Sequence, residues 1–289
     1  MREEAINWNN QGVAHFFKQE WEKARECYER ALELDEQNPA VWNNLGLLAH
    51  QQKNFPQACA HFRRAFELEP KSNYLVNEAN ALAMQGDLNG AEANYLKALD
   101  LQDDYVPAFA SLAKLYTHQG RSNEAIAAYQ RLTEISQEQE YPFQLALLQI
   151  QQGEFDTALQ LLYKLARNRE STEIWFQVGR AEFLAKNYGR AESAFKRALA
   201  ENPDDKASRN FLAVNLLAMG RREEALKQYL FLLKFFPDDT DLLTDTAVVL
   251  CGMERFEEAT TYLDRALTIQ SDHQKALIYK DRIKQIQQS

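Results

Sequence analysis

Residues 41–70 are VWNNLGLLAHQQKNFPQACAHFRRAFELEP, and residues 174–203 are IWFQVGRAEFLAKNYGRAESAFKRALAENP. Trp42 aligns with Trp175, Gly46 with Gly179, Ala58 with Ala191, Phe62 with Phe195 and Pro70 with Pro203, without a gap. Likeness at a fixed register between distant segments is the mark of a repeated supersecondary unit. Extended along the chain, the register gives eight units at intervals of 33 or 34 residues. Position 8 of each is small: Gly12, Gly46, Ala79, Ala113, Ala146, Gly179, Ala213 and Ala247. Position 20 is alanine in all eight: Ala24, Ala58, Ala91, Ala125, Ala158, Ala191, Ala225 and Ala259.

Within a unit, two apolar stripes of helical period flank a turn, marked in four units by Gly86, Gly120, Gly153 and Gly220 at position 15. The unit is therefore expected to be a helical hairpin. Small residues at positions 8 and 20 clear space where the two helices cross, and bulky ones at position 24 fill the gap to neighbouring helices. The prolines agree, since Pro70, Pro203 and Pro237 fall between units and Pro39, Pro56, Pro107 and Pro142 fall at or near helix starts. The predicted units are about 5–38, 39–71, 72–105, 106–138, 139–171, 172–205, 206–239 and 240–273. Residues 274–289 fit no further unit. Their stripe of Ala276, Leu277, Tyr279, Ile283 and Ile286 predicts a helix that caps the last hairpin.

Composition narrows the class. The chain has 289 residues, 45% of them hydrophobic and only 26% charged, which predicts a folded chain too long for one small core. Thirty-three basic against 42 acidic residues give a net charge of −9, so nucleic acid and anionic membranes are not expected partners. Three cysteines without C-x-x-C spacing argue against a disulfide framework or a zinc ribbon. The opening MREEAINWNN lacks the basic and apolar regions of a signal peptide, and no apolar run reaches the roughly 18 residues of a membrane span. The expectation is a soluble, unprocessed, cytoplasmic chain.

With the pattern Trp42, Leu45, Gly46, Ala58, Phe62, Ala65 and Pro70 in hand, the sequence resembles the tetratricopeptide repeat family over residues 5–273. Departures are local. Pro142 and Arg209 replace the first aromatic of their units, and Leu132, Leu165 and Leu232 replace the third small residue. The resemblance implies an all-α, right-handed α-solenoid of eight helix-turn-helix repeats plus a C-terminal capping helix, with the first helix of each pair lining a concave groove that binds peptides. Helical geometry puts positions 4, 7, 8 and 11 on the core side and positions 2, 6, 9 and 13 on the other.

Position 6 carries Asn10, Asn44, Asn77, Ser111, Gln144 and Gln177 before the series breaks at Phe211 and Asp245. A side-chain amide both donates and accepts, so such a ladder can hold a bound backbone whatever its sequence. It resembles the asparagine ladder of O-linked N-acetylglucosamine transferase, although only the first three rungs are Asn. Polar residues on a wet face also need no ligand, and that plainer account of them stands beside the first. Asn80, Lys114 and Arg180 at position 9, His118 at position 13 and Phe143 and Phe176 at position 5 complete the candidate groove, which suits an acidic or amphipathic peptide. The carboxylate clamp of chaperone-binding family members is missing: its first two slots hold Asn9 and Val13, Asn43 and Leu47, or Ala110 and Lys114.

No G-x4-GK[ST], G-x-G-x-x-G, H-E-x-x-H or G-x-S-x-G stretch occurs, and the five histidines are scattered. No catalytic residue, metal or cofactor is expected. The predicted function is a peptide-binding scaffold or adaptor; the alternatives are a self-assembling homo-oligomer and a substrate-positioning subunit of an enzyme complex.

Overall fold

The computed structural model describes residues 2–288, and all of their regular structure is helical. Two compact units divide the chain, Met1–Tyr141 and Pro142–Ser289. In the first lie α1 (Arg2–Phe17), α2 (Trp21–Leu34), α3 (Pro39–Gln51), α4 (Phe55–Leu68), α5 (Ser72–Met84), α6 (Leu88–Leu101), α7 (Val106–His118) and α8 (Ser122–Ile135). With the second go α9 (Glu140–Gln151), α10 (Phe155–Asn168), α11 (Thr172–Leu184), α12 (Tyr188–Glu201), α13 (Lys206–Ala218), α14 (Arg222–Phe235), α15 (Thr240–Gly252), α16 (Phe256–Ile269) and α17 (Gln274–Gln288). Seventeen helices and no strand among the described residues make this an α-solenoid, as the repeat predicts.

The crossing rule holds in atomic detail. All eight position-20 alanines are fully buried. A Cβ built on Gly12, Gly46 or Gly179 would lie 2.5 Å from the position-24 ring of Tyr28, Phe62 or Phe195 in the same hairpin. Small against large therefore sets how closely the two helices approach.

Every hairpin also turns the same way. Position 15 lies in the left-handed region in all eight, at φ between 60° and 87°. The next N–H reaches back to the carbonyl five residues earlier, as from Asn54 to Ala49 at 2.9 Å and from Arg221 to Leu216 at 2.9 Å. That bond and its inner companion satisfy carbonyls the first helix would leave open. Glycine supplies this conformation in four turns, whereas Gln19, Lys53, Lys186 and Glu254 adopt it in the others.

The second helices are tied across hairpins by arginine. Arg121, preceding α8, reaches Glu92 of α6 at 2.6 Å and its own Glu124 at 2.9 Å. Arg221, preceding α14, repeats this with Glu192 of α12 at 2.5 Å and Glu224 at 2.6 Å. At the C-terminal end α17 packs on α15 and α16, burying Ala276 and Ile283 and half-burying Tyr279. Leu277 and Ile286, expected to face the same way, are exposed.

Candidate functional site

The first-helix face of the Met1–Tyr141 unit is built from α1, α3, α5 and α7. Asn10, Lys114 and His118 are exposed on it, and Asn44, Asn77, Asn80 and Ser111 are half-buried. The amides are not vacant. Asn44 Nδ2 donates to Asn9 Oδ1 of the preceding first helix at 2.8 Å, and Asn77 Nδ2 donates to Asn43 Oδ1 at 2.8 Å. The rule is position 6 of one hairpin to position 5 of the one before. It ends at α7, where Ser111 follows Val76, a buried residue with no amide to offer. Asn80 accepts from the Tyr95 hydroxyl at 2.7 Å. Each donating amide group carries a second N–H and a carbonyl oxygen, so one of its hydrogen-bonding groups is committed and others stay available.

The Pro142–Ser289 unit has a different first-helix face. Phe143 is only 9% exposed and belongs to the core formed with Ala146, Ile150 and Leu162. The sequence places Phe143 in the candidate groove; the structure packs it into the core, and a ring so packed has little surface left to bury on a ligand. Phe176 is half-buried and stands edge-on to Phe211 at 5.3 Å. Gln177 is buried and accepts from Arg180 Nη1 at 2.8 Å, while the Arg180 guanidinium lies 5.9 Å from the Phe176 ring. Gln144 is half-buried. Where the ladder breaks, Lys275 of α17 holds Asp245 at 2.5 Å.

Among the described residues no three His, Cys, Asp or Glu side chains gather where they could hold a metal ion. Cys27, Cys59 and Cys251 are free, and burial pushes all three thiols up, away from the reactive thiolate. No helix among the described residues is long and apolar enough to cross a membrane. Two features escaped the sequence reading. The position-6 to position-5 pairing depends on the register between helices, whereas the arginine ties have a visible signal, Arg at position 16 with Glu at position 19 and at position 21 of the preceding unit.

Comparison with known proteins agrees with this architecture. The family model described as "Cilia and flagella-associated protein 70 C-terminal domain" matches residues 106–288, more than half of the chain, and those described as "TPR repeat" and "Tetratricopeptide repeat" match residues 12–53 and 39–72. The chain belongs to the tetratricopeptide repeat superfamily. Over residues 106–288 it belongs to the family of the first description. A TPR repeat-containing protein of Methanocaldococcus jannaschii is 26% identical over 174 residues, 56% of this chain and 31% of the relative. The chain thus spans about a third of that curated relative's length. Among solved structures, the Naa15/Naa10 complex bound to HypK-THB has a chain similar at a TM-score of 0.59 and 15% identity, covering 94% of this chain and 43% of that one. A tetratricopeptide repeat protein from Parabacteroides merdae is similar at a TM-score of 0.55 and 21% identity, covering 88% and 96%. The Cut9–Hcn1 hetero-tetramer of the APC/C is similar at 0.51 and 16%, covering 91% and 52%. At such identities the likeness is one of fold. Tetratricopeptide repeat proteins are in general non-catalytic scaffolds for protein–protein interaction.

Proposed function

We propose that this tetratricopeptide array is a non-catalytic adaptor whose first-helix face holds an extended or amphipathic segment of a partner protein. The observation that carries the reading is the row of inter-hairpin amides, Asn9 with Asn44 and Asn43 with Asn77, each pair fixed in place with hydrogen-bonding groups to spare. Packed helices lie about 8 to 10 Å apart and an extended chain advances about 3.3 Å per residue, so one rung serves roughly every third residue of a guest. Asn10, Asn80, Ser111, Lys114 and His118 flank the row; Gln144, Phe176 and Arg180 form the corresponding face of the second unit, with Gln177 buried beneath and bonded to Arg180. The exposed lysine favours a guest bearing carboxylates. Support also comes from the fold relatives, two of which were solved within multi-protein assemblies, Naa15/Naa10 with HypK-THB and Cut9–Hcn1. The free cysteines support a reducing, cytoplasmic setting.

The test is affinity capture with wild-type protein and with a Lys114→Glu, Asn10→Ala variant, both exposed positions that leave the amide pairs intact. At least tenfold lower recovery of the captured protein, at unchanged helicity and melting temperature, is expected; equal recovery moves binding elsewhere. A second reading, association of two copies end to end, is favoured by Leu277, Ile278 and Ile286 exposed on α17. Light scattering over a concentration series decides it.

A further inference from the structure

Away from the first-helix face, the second unit holds a cavity of about 460 Å³ between α10, α11 and α12. Its wall includes Tyr163, Arg167, Glu170, Trp175, Arg190 and Arg197. On α11 Trp175 and Gln177 are two residues apart, about 200° around the helix, so this cavity and the candidate peptide face are separate.

The charges are unbalanced. Elsewhere some arginines, among them Arg63, Arg121, Arg131, Arg221 and Arg255, sit in ion pairs with carboxylates, while others, such as Arg169, Arg222 and Arg282, stand singly among the described residues; what sets this site apart is that its arginines are gathered. No ion pair of Arg167, Arg190 or Arg197 is found among the described residues, although three guanidiniums share one cavity with a single lining carboxylate, Glu170. A wall of charge +3 against −1 in a chain of net −9 needs a reason. A guanidinium fork matches the oxygens of an oxyanion in pairs. The first turn of α12 adds the positive end of its dipole, since Gly189 and Arg190 line the cavity there.

The remaining wall is aromatic and short of an acceptor. Trp175 is 6% exposed, and its buried indole N–H has no hydrogen-bond partner. Arg197 lies over that indole at 4.5 Å, and the Tyr163 ring stands edge-on to it at 6.2 Å. The Tyr163 hydroxyl is already committed, donating to the buried Glu182 at 2.7 Å.

We propose that this cavity binds a phosphate monoester carried on an apolar or aromatic group. The residual charge of +2 matches a phosphate monoester, which carries about −1.5 to −2 at pH 7, better than it matches a carboxylate. Trp175 and Tyr163 pack the carrier, and the three guanidiniums take the oxygens. The charged or titratable groups facing the ligand are Tyr163 and Arg167 of α10, Glu170 beyond it, and Arg190 and Arg197 of α12, with Glu182 of α11 behind Tyr163. None is an imidazole, so a change of affinity near pH 6 belongs to the ligand's second ionisation, at a pKa of about 6.

The experiment follows the Trp175 indole resonance of the full chain, identified with Trp175→Phe, during titration with phenyl phosphate, inorganic phosphate and benzoate. Saturable movement with phenyl phosphate is expected, at least tenfold tighter than with either comparison anion, and weakening at least threefold from pH 7.5 to pH 5.5. The inorganic-phosphate arm tells a carried phosphate from the free ion. An Arg190→Ala, Arg197→Ala variant loses the movement. Gly189→Phe does the same by filling the cavity; a side chain there meets nothing within 4 Å of its Cβ, so this variant stays folded if the arginine variant does not. An unmoved indole, equal affinity for benzoate, or binding retained in either folded variant overturns the proposal. Because the peptide face uses none of these residues, its test and this one fail separately.

Discussion

Lys53 is held at φ 60° and Lys186 at φ 63°, in a conformation that costs a non-glycine residue about 1–2 kcal/mol. Part of that cost is offset because glycine has more conformational entropy to lose on folding. Lys53→Gly is therefore expected to raise unfolding free energy by about 0.5–1 kcal/mol, and Gly153→Ala to lower it by a similar amount, both measured by urea denaturation. Gly46 poses the opposite problem. A methyl group there meets the Phe62 ring at 2.5 Å, and overpacking costs about 1–3 kcal/mol against about 1 kcal/mol gained in helix propensity. Gly46→Ala should thus destabilise, and adding Phe62→Leu should restore part of the loss, since two other hairpins already combine alanine at position 8 with leucine at position 24, Ala146 with Leu162 and Ala247 with Leu263. The small-against-large rule was readable in the sequence because both partners recur at fixed spacing. The left-handed turn was readable only at its four glycines: Gln19, Lys53, Lys186 and Glu254 share no side-chain chemistry, and the helix crossing, not the residue, imposes their geometry.

At the scale of the element, α17 is the clearest case. Lys275 pairs with Asp245 and Lys280 with Asp264, while Ile283 is fully inserted between α15 and α16. Deleting residues 275–289 uncovers that surface, and a lower melting temperature with more aggregation is expected on heating; an unchanged melting curve would count against a capping role. Its apolar stripe was half right because residue type alone does not say which side has a neighbour. Between second helices, the Arg121 guanidinium holds the Glu92 carboxyl below the ordinary carboxylate range, and Lys196 with Arg221 does the same for Glu192. A depressed carboxyl pKa contributes stability that is complete above the unfolded value near 4.5 and disappears as pH falls through the folded one. Thermal melting should therefore drop on acidification below about pH 5, and Arg121→Ala with Arg221→Ala should both lower the neutral melting temperature and flatten that acid slope.

For the molecule as a whole, stability in a repeat array is approximately a sum over hairpins and their nearest-neighbour interfaces. Trp8, Trp21 and Trp42 all lie in the Met1–Tyr141 unit, and Trp175 lies in the other. In a Trp175→Phe background, indole fluorescence reports the first unit and circular dichroism reports both. Denaturation midpoints that differ between the two signals are expected; coincident midpoints would mean one cooperative block. At this scale the architecture was plain in the sequence, because a period of 33 or 34 residues survives every local departure. The sites were less plain. Asn44 and Asn77 could be placed on the inner face, but their pairing with Asn9 and Asn43 depends on how neighbouring helices are registered. Arg167, Arg190 and Arg197 belong to two hairpins and occupy three different repeat positions, so no stripe or motif gathers them before folding does.

The shared backbone turn has one more consequence. Since lysine, glutamine, glutamate and glycine all ride the same bend, the joint tolerates its occupant, and hairpins become interchangeable cassettes. Copying the segment that runs from Ser72 to Tyr105 and splicing the duplicate ahead of Val106 would add one hairpin on the same bend, and the strain would fall on side chains alone: the copied Asn77 would face Val76 in place of Asn43, and the original Glu92 would give up Arg121 to its copy.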